Sequence, residues 1–155
     1  MRLLRVCVLT IVGVLLFGYL SNILAYPKAA DLTKSHLLSV VQRERPAIGK
    51  SITWVDEANV RRITDPYLEE IKNIRFLGVQ IPQPWFHPDK EYMPQPYPRD
   101  YPWAYVKVRQ WDLPFVVFVY HGWEAAALWG RGGVTIFLCI LGYPVEIHDY
   151  NIWVT

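Results

Sequence analysis

The sequence predicts an α+β protein: an N-terminal transmembrane helix, then two or three short helices packed on a C-terminal antiparallel β-meander of about four strands. Three observations lead there. The first 26 residues are apolar almost throughout. Residues 29–73 carry helix caps and helical spacing. From residue 104 onward, runs of Val, Ile, Phe, Tyr and Trp alternate with short Gly- and Pro-containing breaks.

The opening stretch MRLLRVCVLTIVGVLLFGYLSNILAYP places Arg2 and Arg5 ahead of an apolar run from Val6 to Tyr26, interrupted only by Thr10, Ser21 and Asn22. At ~1.5 Å per residue such a helix is roughly 30 Å long, about one bilayer core. Residues 1–26 therefore read as a transmembrane signal anchor, with membrane lipid contacted through residues 6–26. The competing reading is a cleavable signal peptide cut after Ala25, although Ile23 is an unusual residue for the first recognition position. Arg2 and Arg5 on one side, against Lys28 and Lys34 on the other, give a mild preference for a cytoplasmic N-terminus. Residues 27–155 then form a single extracytoplasmic domain, or a secreted one if the leader is removed.

Ala29 to Arg45 reads as an amphipathic helix, with Asp31 near its start, Leu37, Val40 and Val41 on one face, and Arg43 and Arg45 at the end that Pro46 closes. A second helical piece is expected over 56–63. A third is signalled by Asp65-Pro66 ahead of YLEEIKN, and IRFLGVQI (74–81) reads as one short strand.

Residues 81–103 hold seven prolines, with Trp85, Phe86, Tyr92, Tyr97, Tyr101 and Trp103 threaded between them. A disordered linker is poor in such side chains, and leaving large rings in water forfeits roughly 1.5–3 kcal/mol each. The segment is therefore expected to be a strap held on the sheet. Its alternative is an exposed proline-rich ligand for another protein's aromatic groove.

The meander is expected from AYVKVRQWDL, PFVVFVYHGWEAAALWG, GVTIFLCIL and PVEIHDYNIWV, with breaks at 112–114, 131–133 and 142–144. With the turns centred there, one face carries Val106, Val108, Val116, Phe118, Tyr120, Val134, Ile136, Leu138, Ile140 and Ile152. The other carries Trp111, Phe115, Val117, Val119, Trp123, Phe137, Cys139, Leu141, Val145, Ile147 and Trp153. Both faces are apolar, so the sheet needs cover on each side.

The formal charge of +2 comes from Arg2 and Arg5, because residues 27–155 are balanced; with no basic field, nucleic acid is not an expected partner. Cys7 and Cys139 are expected to be free thiols. No zinc-protease, Cys-x-x-Cys, phosphate-loop or serine-hydrolase motif occurs, and no cofactor is expected. Gly130-Arg131-Gly132-Gly133 reads as a hairpin turn, with Arg131 at its tip in reach of an anionic lipid or partner. His87, Asp89 and Glu91 are a weak loop trio.

The candidate polar cluster is His121, Glu124, His148 and Asp149, in which Glu124 and His148 are expected to flank Leu138. The candidate interaction surface is Trp85, Trp103, Trp123, Trp129, Arg131 and Trp153, against the plainer reading that these rings pack the core. The function expected is that of a single-pass membrane-anchored accessory or interaction protein of a membrane or cell-envelope assembly, without catalysis of its own, meeting a protein partner or a second copy. The alternative is a secreted or periplasmic domain that binds a ligand or metal, or catalyses, through His121, Glu124 and His148.

Overall fold

The computed structural model describes residues 2–47, 50–54, 75–76, 79–80, 102–126 and 129–154. A single helix is present among them, α1 (Arg2–Glu44), which carries the apolar leader and the expected amphipathic helix as one uninterrupted element. Two elements were expected here, residues 1–26 and Ala29 to Arg45, with Pro27 between them. Proline inside a helix forfeits one backbone bond, yet α1 continues through it, held on both sides of Pro27 by packing on the sheet: Ala25 before it and Ala29 after it are fully buried. The helices expected over 56–63 and 65–73 lie outside the described residues, as do residues 81–101 of the strap.

The strands are β1 (Thr53–Trp54), β2 (Arg75–Phe76), β3 (Val79–Gln80), β4 (Trp103–Leu113), β5 (Val116–Ala126), β6 (Trp129–Ile140) and β7 (Tyr143–Val154). β4 to β7 form the expected antiparallel meander. A fifth strand joins it, because β1 pairs in parallel with the start of β4, giving the order β1-β4-β5-β6-β7. The 74–81 segment holds two strands instead of one: β2 and β3 pair antiparallel as a separate two-stranded ribbon.

The stripe Gly18, Ser21, Asn22, Ala25, Ala29, Thr33, Leu37 and Val41 is the buried side of α1, spaced three or four apart as a helix face must be. It runs along one face of the sheet. Ala25 and Ala29 pack with Val117, Val119, Phe137 and Cys139; further along, Leu37 and Val41 pack with Ala104 and Trp123. Small residues in the first half of the stripe let helix and sheet approach closely. On the outer face, away from α1, Trp103, Tyr105, Phe118, Tyr120, Val134 and Ile136 are buried as well, as a sheet with two apolar faces requires.

The expected register is corrected in β4 and β7. Val106 pairs with His121 and Val108 with Val119, so both face the helix, not the outer side. The reason is the turn: Leu113 and Val116 are joined by a two-residue loop, Pro114–Phe115, centred later than the expected break, and a one-residue change in pairing exchanges faces. The loop Leu141–Gly142 does the same to Val145, which pairs with Leu138 on the outer face. Phe115 and Leu141 are turn residues, not members of a face.

Candidate functional site

The structure places the four glycine-rich positions 130–133 inside β6, not in a turn. Their neighbours explain this. A Cβ on Gly133 would collide with the Tyr150 carbonyl oxygen and lie 3.1 Å from the His121 ring. Gly122, directly across from Gly132, is crowded by the Tyr105 ring, 2.6 Å from where its Cβ would stand. These glycines make room for rings rather than for a reversal of the chain. Arg131 is therefore not at a hairpin tip; its guanidinium meets Glu44 at the end of α1, at 3.0 Å.

Gly133 also determines the chemistry above it. With no side chain on β6 at that point, His121 of β5 reaches across the strand to β7, where its Nε2 lies 3.0 Å from Asp149 Oδ1. Thr135 Oγ1 donates to the same oxygen at 3.0 Å. Burial pushes the Asp149 carboxyl up, but the bond and charge of His121, the Thr135 hydroxyl and the nearby His36 outweigh it and hold the group below its ordinary value of 3.8. An ionised Asp149 needs a donor at Nε2, so that nitrogen carries the proton.

Between this pair and the second half of α1 lies a cleft of about 190 Å³ bordered by His36, Arg43, His121, Trp123, Arg131 and Asp149. Among the described residues, two of its buried nitrogens, His121 Nδ1 and Trp123 Nε1, have no hydrogen-bond partner, although the residues themselves are only 5 % and 4 % exposed. Such groups are costly to bury unpaired. Ser39 supplies a hydroxyl to the lining, but it donates to the His36 carbonyl at 2.7 Å. Among the described residues no group of three or more His, Cys, Asp or Glu side chains is arranged to hold a metal ion.

Of the expected polar cluster, the fold brings His121 and Asp149 together and keeps His148 apart. His148 pairs with Ile136 on the outer face, is exposed, and meets the Tyr150 ring edge-on at 4.1 Å between centroids. A centre made of His121, Glu124 and His148 is thus not assembled, since the two histidines occupy opposite faces. The expected flanking of Leu138 by Glu124 and His148 is also corrected: Leu138 lies between Val116 and Val145, while Glu124 pairs with Trp103 and Gly130. Of the candidate surface tryptophans, Trp103 and Trp123 are buried on opposite faces, at 3 % and 4 % exposure. Trp129 and Trp153 are placed by backbone register alone, opposite Ala126 and Gly132, and Trp85 lies outside the described residues.

A second polar constellation lies at the other end of the sheet, where the helix leaves it. Asn22 Nδ2 donates to the carbonyls of Leu113 (2.7 Å) and Val116 (3.1 Å), tying the β4–β5 turn to α1. Ser21 Oγ donates to the Cys139 carbonyl at 2.9 Å and accepts from Gly142 N at 3.1 Å, tying down the β6–β7 turn. Lys28 Nζ donates to the Gly142 carbonyl at 3.1 Å and sits 4.2 Å from the centre of the Tyr143 ring. Sequence reading passed over Ser21 and Asn22 as mere interruptions of the apolar run. The available signal was their adjacency: two neighbouring polar side chains inside an apolar run need partners from the protein itself.

No protein family, curated protein or solved structure matches the chain.

Proposed function

We propose that this chain is a single-pass membrane protein whose extracytoplasmic α+β domain acts as an accessory or interaction component of a membrane or envelope assembly, without catalysis of its own. The carrying observation is the division of labour along α1. From Val6 to Phe17 the helix is apolar apart from Thr10 and exposed on all sides, and from Gly18 to Val41 one side of it is the core of the domain. The same element is membrane anchor and structural spine. A leader removed after Ala25 would take Ser21, Asn22 and Ala25 with it, and with them the hydrogen bonds to both sheet turns. That supports retention of the leader. The charges support a cytoplasmic N-terminus, with Arg2 and Arg5 before the span.

The test is the intact mass of the protein recovered from washed membranes. Retention predicts a chain that includes the first 25 residues, whereas a mature chain beginning at Tyr26 removes this reading. Crosslinking in native membranes is expected to capture a protein partner or a second copy, and recovery of monomer alone counts against the interaction role.

A second reading is favoured by Trp123 Nε1, buried beside His121 in the cleft with no partner among the described residues. Trp123 Nε1 is an obligate donor, and His36, Arg43 and Arg131 line the same space, so the cleft suits a small anion such as phosphate or a carboxylate. Inorganic phosphate is then expected to raise the unfolding temperature relative to chloride at equal ionic strength, with the effect lost in Arg43→Gln. Equal shifts in wild type and variant sink this reading.

A further inference from the structure

We propose that the hairpin end of the sheet, the turns Pro114–Phe115 and Leu141–Gly142 with the apolar side chains behind them, is seated in the lipid headgroup–acyl boundary of the leaflet that α1 leaves. This rests on the reading of α1 as a membrane anchor.

The first argument is length. A bilayer core needs about 20 helical residues, so a span beginning at Val6, after Arg5, extends to roughly Ala25. Yet α1 is already engaged by the sheet from Gly18 onward: Phe115 N donates to the Gly18 carbonyl at 3.4 Å, and a Cβ on Gly18 would stand 2.6 Å from Pro114. The segment from Val6 to Phe17, exposed throughout, covers only about 18 Å at ~1.5 Å per residue. Beyond Gly18, Leu20 and Ile23 of α1 remain apolar and 53 % and 40 % exposed, and Leu24, which packs beside Gly142 of the β6–β7 turn, is still 55 % exposed. The apolar medium thus continues past the point where the turns dock, and the turns are at its level.

The second argument is the surface of the turns themselves. Burial on the outer face of β6 is graded: Val134 and Ile136 are fully buried, Leu138 is 36 % exposed and Ile140 51 %. Leu141, Tyr143, Val145 and Ile147 continue the patch at 45–67 %. From Leu138 to the tip is about 10 Å of strand at ~3.4 Å per residue, close to the ~12 Å by which the exposed helix falls short of a bilayer core. A patch of this kind, continuous with a membrane span, has lipid as its natural cover.

The third argument is backbone strain. Among the described residues, the non-glycine positions with positive φ are Phe115 (64°) and Leu141 (53°), one in each of these two turns. Left-handed positions in two-residue turns are ordinarily filled by Gly, Asn or Asp, and a bulky apolar residue there is strained by the clash of its Cβ with the following carbonyl. Both turns at one end of the sheet accept that strain and place a large apolar side chain at the tip. Lys28 over Tyr143 completes the edge, with an ammonium and a phenol at the headgroup level where such side chains partition.

The test uses the full chain with Cys7→Ser, reconstituted in phosphatidylcholine–phosphatidylglycerol vesicles and spin-labelled in turn at Ile11→Cys, Leu141→Cys, Val145→Cys and Lys50→Cys. Collision with oxygen, which concentrates in lipid, is compared with collision with a water-soluble nickel complex. The expected result is an oxygen-to-nickel ratio at Leu141 and Val145 several-fold above that at Lys50 and below that at Ile11. Nickel access at Leu141 and Val145 equal to that at Lys50 overturns the proposal while leaving the anchor intact. Exclusion of both reagents there overturns it in favour of cover by a second copy or another protein. A label at Ile11 that reads as aqueous removes the anchor reading, and this one with it.

Discussion

Asn22, with Ser21 and Lys28, holds the sheet turns against the helix, and its amide bridges two carbonyls of the β4–β5 turn from a fully buried position. Replacing it with alanine leaves the Leu113 and Val116 carbonyls without that donor, so Asn22→Ala is expected to cost about 1–3 kcal/mol in unfolding of the reconstituted protein. Gly133 is bound by the opposite constraint, since any side chain there strikes the Tyr150 carbonyl and the His121 ring. Gly133→Ala should destabilise the domain by about 1–3 kcal/mol, whereas Gly13→Ala, with nothing within 4 Å, should leave its unfolding unchanged. The Asp149 carboxyl is held below its ordinary value of 3.8, chiefly by His121 against the opposing pull of burial. An acid depressed on folding stabilises the fold fully above its unfolded value and ceases to do so as pH falls through the folded one. Asp149→Asn is therefore expected to lower stability at neutral pH, with the gap to wild type closing in acid below pH 3.8, as read by denaturant titration at both ends of the range. Burial pushes the Cys139 thiol up to about 11, which keeps it an inert core residue in the folded chain.

At the scale of elements, α1 works because one stripe keeps its phase across Pro27. Each added residue rotates a helix by about 100°, so one alanine inserted between Tyr26 and Pro27 turns the Ser21–Asn22–Ala25 side away from the Ala29–Leu37–Val41 side. The two halves then cannot dock on the same sheet, and loss of protease resistance in the domain is the expected outcome. The same insertion after Val12, in the exposed segment, leaves the docking stripe in phase and should leave the domain resistant. The helix itself was legible from residue types: an apolar run, then a leucine–valine face ending at Pro46. Its continuity was not, because proline is a local signal for interruption and the compensating contacts come from strands more than 90 residues away in sequence. The four meander strands were equally legible from β-branched and aromatic runs, while β1 was missed because two residues, Thr53 and Trp54, carry no periodicity. The glycines of β6 were misread for a physical reason: a glycine required by close packing of a neighbouring ring looks the same in sequence as one required by a turn.

At the scale of the whole molecule, the membrane-length apolar segment and the sheet-docking segment are parts of one helix with no tether between them, so under the proposed anchor reading membrane and sheet are held in one orientation. Cleaving the leader is consequently expected to damage the domain as well as release it: a chain beginning at Tyr26 should unfold at lower temperature than the full chain in the same detergent, and equal unfolding temperatures would show that the first half of the stripe is dispensable. The residue types by themselves determined the class of the fold, the membrane-length leader and the need for two covers on the sheet, because these follow from how much apolar surface the chain contains and at what spacing. Only the tertiary structure decided the pairing of His121 with Asp149, the separation of His148 from both, the roles of Ser21 and Asn22, and the gathering of the apolar turn tips beside the span. Each of these depends on register and on which distant backbone group a side chain meets, and a change of one residue in a turn suffices to reverse the answer.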